Sequence, residues 1–283
     1  MVGVVCQPDK PAGRGYRLTA PPIKELAEQV NRPLLQPARL RTPDVLDGLR
    51  NWAPDLIVVA AYGRILPTTI LALPRVGCIN VHASLLPKYR GAAPIQWAIL
   101  NGDPRTGITI MRMNERMDAG DILLQRDTPI GADETYGALQ DRLAVLGAEV
   151  LMDAVQLLHA GALQGHPQSD AEATAAPMIK KEDGRIDWMQ AAETIARRVR
   201  AFNPWPSAFT LLDGRRLKVH RAHPVPAGAP ATPGTVTTVG CEIGVGTGQG
   251  ALALDEVQLE GRRSMNSAEF SRGVALRVGT LLG

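Results

Sequence analysis

Apolar residues in the first half of the chain fall into short unbroken runs separated by stretches of helical spacing. Residues 55–61 (DLIVVAA) form a continuous apolar run of strand length bounded by turn formers, the pattern of a parallel strand covered on both faces. Residues 77–83 (GCINVHA) and 107–113 (GITIMRM) repeat it with β-branched residues, and residues 1–6 (MVGVVC) read as a shorter buried strand. Helix-like stretches at 22–30, 42–51 and 94–100 lie between these runs. The alternation predicts an α/β fold, and the doubly covered runs fit a mostly parallel sheet. From Asp133 onward, Leu139, Leu143, Leu146, Val150, Ala154 and Leu157 recur at spacings of three and four, which predicts one long amphipathic helix capped by Asp133 and ended by Gly161.

Two segments break the pattern. Residues 7–15 (QPDKPAGRG) are rich in Pro and Gly, which argues against regular structure, so they are read as a loop after the first strand. Residues 161–176 (GALQGHPQSDAEATAA) turn small and polar, the composition of a linker. Beyond it, strand-like segments at 185–188, 209–212, 217–219, 234–239, 243–245 and 251–257 alternate with Gly and Pro turns around a helix-like stretch at 192–201. The expected organisation is a first domain over 1–163, a linker over 164–181, and a smaller β-rich domain over 182–283 that could close as a barrel.

Composition narrows the class. At 283 residues with 45% hydrophobic content, the chain can bury one large and one smaller core, and its net charge of +3 leaves room for an anionic partner. Cys6, Cys78 and Cys241 lie far apart, with no CxxC pair and no His at metal-ligand spacing, so neither a disulfide framework nor a metal site is expected and a reducing cytoplasm fits. The apolar runs are too short for a membrane helix, and the first residues show no basic stretch followed by an apolar one, so neither membrane insertion nor secretion is expected.

Candidate chemistry collects after the predicted strands. Asn80 and His82, two apart, point to one face near the carboxyl end of a strand, the edge where open α/β sheets place ligands. By itself such a pair more often marks a core histidine. The irregular stretch 84–94 (SLLPKYRGAAP) follows at once, and 117–122 (MDAGDI) sets Asp118 and Asp121 around a glycine, where either carboxylate could merely cap a turn. An amide donor, an imidazole and a carboxylate are what acyl-type transfer to an amine requires: one group to hold the developing oxyanion and others to move the amine proton. No glycine-rich phosphate cradle is present. His159, His166, His220 and His223 lack partner motifs, and Trp97, Trp188 and Trp205 are read as packing anchors.

Asn80, His82, the SLLPKYRGAAP loop and Asp118 in MDAGDI resemble the signature of the formyltransferase family that uses 10-formyltetrahydrofolate. Within it, 7–15, 61–67 (AYGRILP) and 200–206 (RAFNPWP) resemble the branch that formylates methionine carried on initiator tRNA, and that match extends over nearly the whole chain. The resemblance implies a Rossmann-like catalytic domain and a C-terminal OB-like barrel that helps bind tRNA. It implies a monomeric cytoplasmic enzyme of bacterial type, acting without metal, with 10-formyltetrahydrofolate as formyl donor and initiator methionyl-tRNA as partner. Asn80 and His82 would donate to the oxyanion, and Asp118 would set the imidazole's charge and orientation. Folate contacts are implied for Ile65, Leu66, Ser84, Leu85, Leu86, Pro87, Met113, Gly120 and Asp121. Contacts with tRNA are implied for Lys10, Arg14 and Arg17, with Lys180 and Lys181 as further phosphate contacts. Family members open with a strand, a turn and a helix ahead of the part matching Met1, so the resemblance implies that the strand at residues 2–5 lacks its sheet neighbour. Two other readings stay open: transfer to an amino sugar or nucleotide, and tRNA binding without turnover.

Overall fold

The computed structural model describes residues 1–12, 17–225, 232–239, 242–273 and 276–283. In chain order its elements are β1 (Val4–Val5), β2 (Lys10–Ala12), β3 (Arg17–Thr19), α1 (Pro22–Gln29), β4 (Leu34–Leu35), α2 (Pro43–Trp52), β5 (Leu56–Ala60), α3 (Thr68–Leu71), β6 (Gly77–His82), β7 (Arg90–Gly91), α4 (Pro94–Asn101), β8 (Arg105–Arg112), β9 (Ile122–Pro129) and α5 (Tyr136–His159). They continue with β10 (Ala175–Ala176), α6 (Ala192–Ala201), β11 (Ala208–Leu212), β12 (Arg215–Val225), β13 (Val236–Val239), β14 (Glu242–Gly246), β15 (Ala251–Leu259), β16 (Met265–Asn266) and α7 (Ser267–Gly273).

By packing, the chain divides into two compact units, neither of them one continuous piece. The first comprises Met1–Arg90, Ile108–Arg126 and Gly147–Thr174; the second takes Gly91–Gly107, Asp127–Leu146 and Ala175–Gly283.

The first unit is built on the sheet β5-β6-β8-β9 and the separate pair β1-β4. The expected parallel pairing is present at β1–β4 and β5–β6. The next neighbour, β8, runs antiparallel to β6, with His82 opposite Thr109, so the sheet is mixed. A strand buried on both faces shows the same apolar run in either direction, which is why 107–113 carried no sign of this. The first strand is only Val4–Val5 and pairs with Leu34–Leu35. Beside the sheet, Leu40, Val45, Leu49, Leu66, Ile70 and Cys78 form an apolar core against which Met113 packs.

Three expectations are corrected. Residues 7–15 are not wholly a loop: Lys10–Ala12 pairs antiparallel with Arg17–Thr19. Pro11 is tolerated there because a two-stranded ribbon has outward-facing positions that need no backbone donor. Helix α5 starts at Tyr136, and Thr135 rather than Asp133 caps it, its Oγ1 accepting from Ala138 N at 3.3 Å; Gly161 follows the helix in the left-handed region at φ 65°. The polar stretch 161–176 is not a free tether. His166 and Ile122 exchange backbone hydrogen bonds of 2.9 Å, and Thr174 O accepts from Arg90 N at 2.8 Å.

In the second unit the antiparallel path β11-β12-β15-β14-β13, with β16 added on β15, surrounds a core that includes Trp188, Ile195, Val199, Leu217, Leu252 and Phe270. Its two ends meet through the C-terminal tail: Val236 N donates to Thr280 O and Leu282 N to Gly234 O, both at 2.8 Å, and Gly283 N donates to Leu211 O at 3.1 Å. Among the described residues the sheet is thus joined end to end by the tail rather than by direct pairing of β11 with β13. Helix α6 packs on β12 through Ile195, Ala196 and Val199, a stripe that matches its helical period.

Candidate active site

Strand β6 ends at His82, and period two puts Asn80 and His82 on one face of it. His82 is buried, whereas Asn80 is half-buried. The ring of His82 lies between two acceptors: its Nε2 is 3.0 Å from the Tyr89 carbonyl oxygen, and its Nδ1 is 3.8 Å from Asp118 Oδ2. A carbonyl can only accept, so Nε2 carries a proton, and Nδ1 is the nitrogen that can take another and then pair with the Asp118 carboxylate. Both ring nitrogens of His82 thus face protein groups.

Asp118 reaches the ring from a tight loop. Its own φ is 48°, unusual for a residue with a side chain. Two residues on, Gly120 lies so close to β8 that a Cβ added there would sit 1.8 Å from the Arg112 carbonyl oxygen, so only glycine fits. Arg112 N donates to Asp121 O at 2.8 Å and closes the loop.

The 84–94 loop is held from beneath. Thr109, wholly buried on β8, donates from Oγ1 to Ser84 O at 2.6 Å and accepts from Leu86 N at 3.1 Å. Gln125 Nε2 donates to Leu86 O and to Thr109 Oγ1 at 2.9 and 2.8 Å. Ser84 Oγ donates to Lys88 O at 2.7 Å, and Leu86–Pro87 is a cis peptide.

The other residues expected from the sequence are scattered in exposure. Ser84, Leu86 and Gly120 are buried, and Leu66 is part of the apolar core, whereas Ile65, Leu85, Pro87, Met113 and Asp121 keep exposed surface. Ile65 is 71% exposed. An open groove of about 580 Å³ is lined by Thr68, Leu71, Ala72 and the 113–116 segment; it touches Met113 but none of Asn80, His82 and Asp118. Lys10 is exposed, with Nζ bonded to Gln7 Oε1, and Lys180 and Lys181 are exposed as well. Arg14 lies outside the described residues, and Arg17 enters only through its backbone pairing with Ala12.

Three polar residues near the site gave no local signal in the sequence: Thr109, Gln125 and Gln168. A polar residue inside a strand or linker is ordinary until its partners are known. His223 likewise has partners that the sequence did not show: its Nδ1 is 3.0 Å from Asp255 Oδ1 and its Nε2 3.5 Å from Glu242 Oε2. Among the described residues these three form the group that could hold a metal ion, but both ring nitrogens already face carboxylates.

Residues 1–155 match the formyl transferase family, and residues 178–275 match the formyl transferase C-terminal domain. The chain belongs to the formyl transferase family. Methionyl-tRNA formyltransferase of Geobacter sulfurreducens is 49% identical over 284 residues, covering 100% of this chain and 89% of that protein. The protein of the same name from Myxococcus xanthus is 49% identical, covering 99% and 89%. Among solved structures, HypX from Aquifex aeolicus in complex with tetrahydrofolic acid superposes with a TM-score of 0.62 at 22% identity, over 87% of this chain and 43% of that one. An N-formyltransferase from Helicobacter canadensis, in complex with folinic acid and dTDP-3-aminofucose, superposes with a TM-score of 0.63 at 16% identity, over 88% and 87%. At such identities the structures establish a shared fold. No helix among the described residues is long and apolar enough to cross a membrane.

Proposed function

We propose that this chain transfers the formyl group of 10-formyltetrahydrofolate to the α-amino group of methionyl initiator tRNA in the bacterial cytoplasm. The observation that carries the choice of acceptor is the alignment at 49% identity, along the entire chain, with a methionyl-tRNA formyltransferase. The chemistry is supported by the buried imidazole set between the Tyr89 carbonyl and Asp118.

In this reading the amine lone pair attacks the formyl carbon and a C–N bond forms. The Asn80 amide donates to the oxygen as it gains charge, a stabilisation whose loss typically lowers kcat about 10²- to 10³-fold. His82 takes the amine proton on Nδ1, Asp118 balances the charge that results, and the proton passes to the folate N10 as its bond to the formyl carbon breaks. Ile65, Leu85, Pro87, Met113 and Asp121 supply folate contacts. Lys10, Arg14, Arg17, Lys180 and Lys181 supply phosphate contacts, so tRNA binding weakens as salt rises.

The test is transfer of labelled formyl from 10-formyltetrahydrofolate to charged initiator tRNA, with a nucleotide-linked amino sugar as competing acceptor. Transfer to the tRNA is expected, and Asn80→Ala should lose turnover while still binding folate. Transfer to the sugar alone would assign the chain to another branch, and salt-sensitive tRNA binding without transfer would remove the catalytic reading.

A further inference from the structure

Gln168 lies in the polar stretch after α5, whose composition reads as a linker, and it is half-buried. Its Nε2 donates to the carbonyl oxygens of Asp118 at 2.9 Å and Gly120 at 2.7 Å, and its Oε1 accepts from Arg90 Nε at 3.0 Å. The orientation of the amide is forced: reversed, its oxygen would face two carbonyls and its nitrogen a guanidinium. One side chain therefore ties together the loop that carries the carboxylate and the loop that carries the His82 acceptor, because Arg90 adjoins Tyr89.

Both ends of this tie are anchored. Arg90 Nη1 pairs with Asp170 Oδ1 at 2.8 Å, and Arg116, from the Asp118 loop, pairs with Asp170 Oδ2 at 2.8 Å. The two guanidiniums, Arg116 foremost, hold the Asp170 carboxyl below the usual carboxylate range. Tyr89 N donates to Thr174 Oγ1 at 2.9 Å. The segment from Gln168 to Thr174 thus braces two loops, each of which carries one of the acceptors that face the nitrogens of His82.

We infer that Gln168 is a positioning residue for formyl transfer: by clamping the Asp118 and Gly120 carbonyls against Arg90 it fixes the placement of the Asp118 carboxylate against His82 Nδ1. This rests on the proposed transferase reading. Asp118 holds a left-handed backbone conformation that its own chemistry does not prefer, so without the two donors from Gln168 the loop has reason to relax.

The experiment uses Gln168→Glu in the full chain. Glutamate keeps the length and the acceptor for Arg90 but replaces the donor pair with oxygen, which repels both carbonyls. The expected result is a fall in kcat of about 10²-fold, the scale typical of a displacement of about 1 Å at a reacting group. KM for 10-formyltetrahydrofolate should stay close to wild type, and the pH profile of kcat should move. The His82 ring resonances, assigned by their loss in His82→Gln, should titrate differently in the variant, because the carboxylate beside the ring has shifted. Wild-type kcat in Gln168→Glu would overturn the inference. So would a variant that loses activity only in proportion to lost folded protein while the His82 titration stays put. If the wild-type protein transfers no formyl group at all, the functional reading fails, and the ring titration still decides the role of Gln168.

Discussion

Replacing Asp118 by asparagine isolates the electrostatic share of the proposed mechanism. Asparagine matches aspartate in shape and tolerates the left-handed backbone at φ 48°, so the loop geometry should survive the exchange. What disappears is the negative charge 3.8 Å from His82 Nδ1, in a site where the two side chains are only 6% and 17% exposed. At that separation and an effective dielectric of about 20, the attraction between imidazolium and carboxylate is roughly 4 kcal/mol. This is a gross value, since the asparagine dipole recovers a part of it. The expected loss in kcat is therefore about 10²- to 10³-fold. The assay is steady-state transfer of labelled formyl to methionyl-tRNA, with circular dichroism and melting temperature confirming a folded variant. Folate binding, measured by fluorescence quenching, should be unchanged. A folded Asp118→Asn protein with kcat within about five-fold of wild type would refute the argument, because so small a loss leaves no room for a charge that matters at 3.8 Å.

Other consequences can be checked independently. Gly120→Ala places a methyl group within 1.8 Å of the Arg112 carbonyl oxygen; it should lower stability by about 1–3 kcal/mol in urea unfolding and sharply reduce turnover. Burial pushes the Cys78 thiol up to about 11, so alkylation at pH 8 followed by peptide mapping should leave Cys78 unmodified in the native protein and modified in urea. Glu134 accepts from Arg142 Nε and Nη2 at 2.9 Å each and from Gly131 N at 2.9 Å, and Arg142 foremost holds its carboxyl below the ordinary value of 4.5. A depressed carboxylate stabilises the fold above its ordinary value and ceases to do so as pH falls through the lower folded one. The melting temperatures of wild type and Glu134→Gln should therefore differ at pH 7 and converge in acid below pH 4.5; an equal gap at both ends would exclude the ion pair as the cause.

How far the sequence could be read depended on how local each feature is. The helix expected over 192–201 is α6, and the apolar runs at 55–61 and 77–83 contain β5 and β6, because each is encoded by residues a few positions apart. Strand β9 escaped notice. It closes the edge of its sheet, and its QRDTP half is largely exposed, so nothing apolar alternates there. Strand β12 was read only over 217–219 because RRLKVHRAHPV carries charge on its outer face for most of its length. In both cases the element is made by backbone hydrogen bonds to neighbouring strands, β8 for β9 and β11 with β15 for β12, and such bonds need no apolar pattern in the segment itself.

The same division runs through the site. That Asn80 and His82 share one face near a strand's end follows from their spacing, and the family signature around them was legible in full. The tertiary structure decided what faces the ring: Asp118 on one nitrogen and a backbone carbonyl on the other. It also decided that Gln168 is part of the arrangement, through bonds to residues 50 and 78 positions away. Periodicity and motif are properties of neighbours along the chain, whereas the protonation chemistry of a buried ring depends on whichever groups folding brings within 4 Å of it, and those need leave no mark in its own segment.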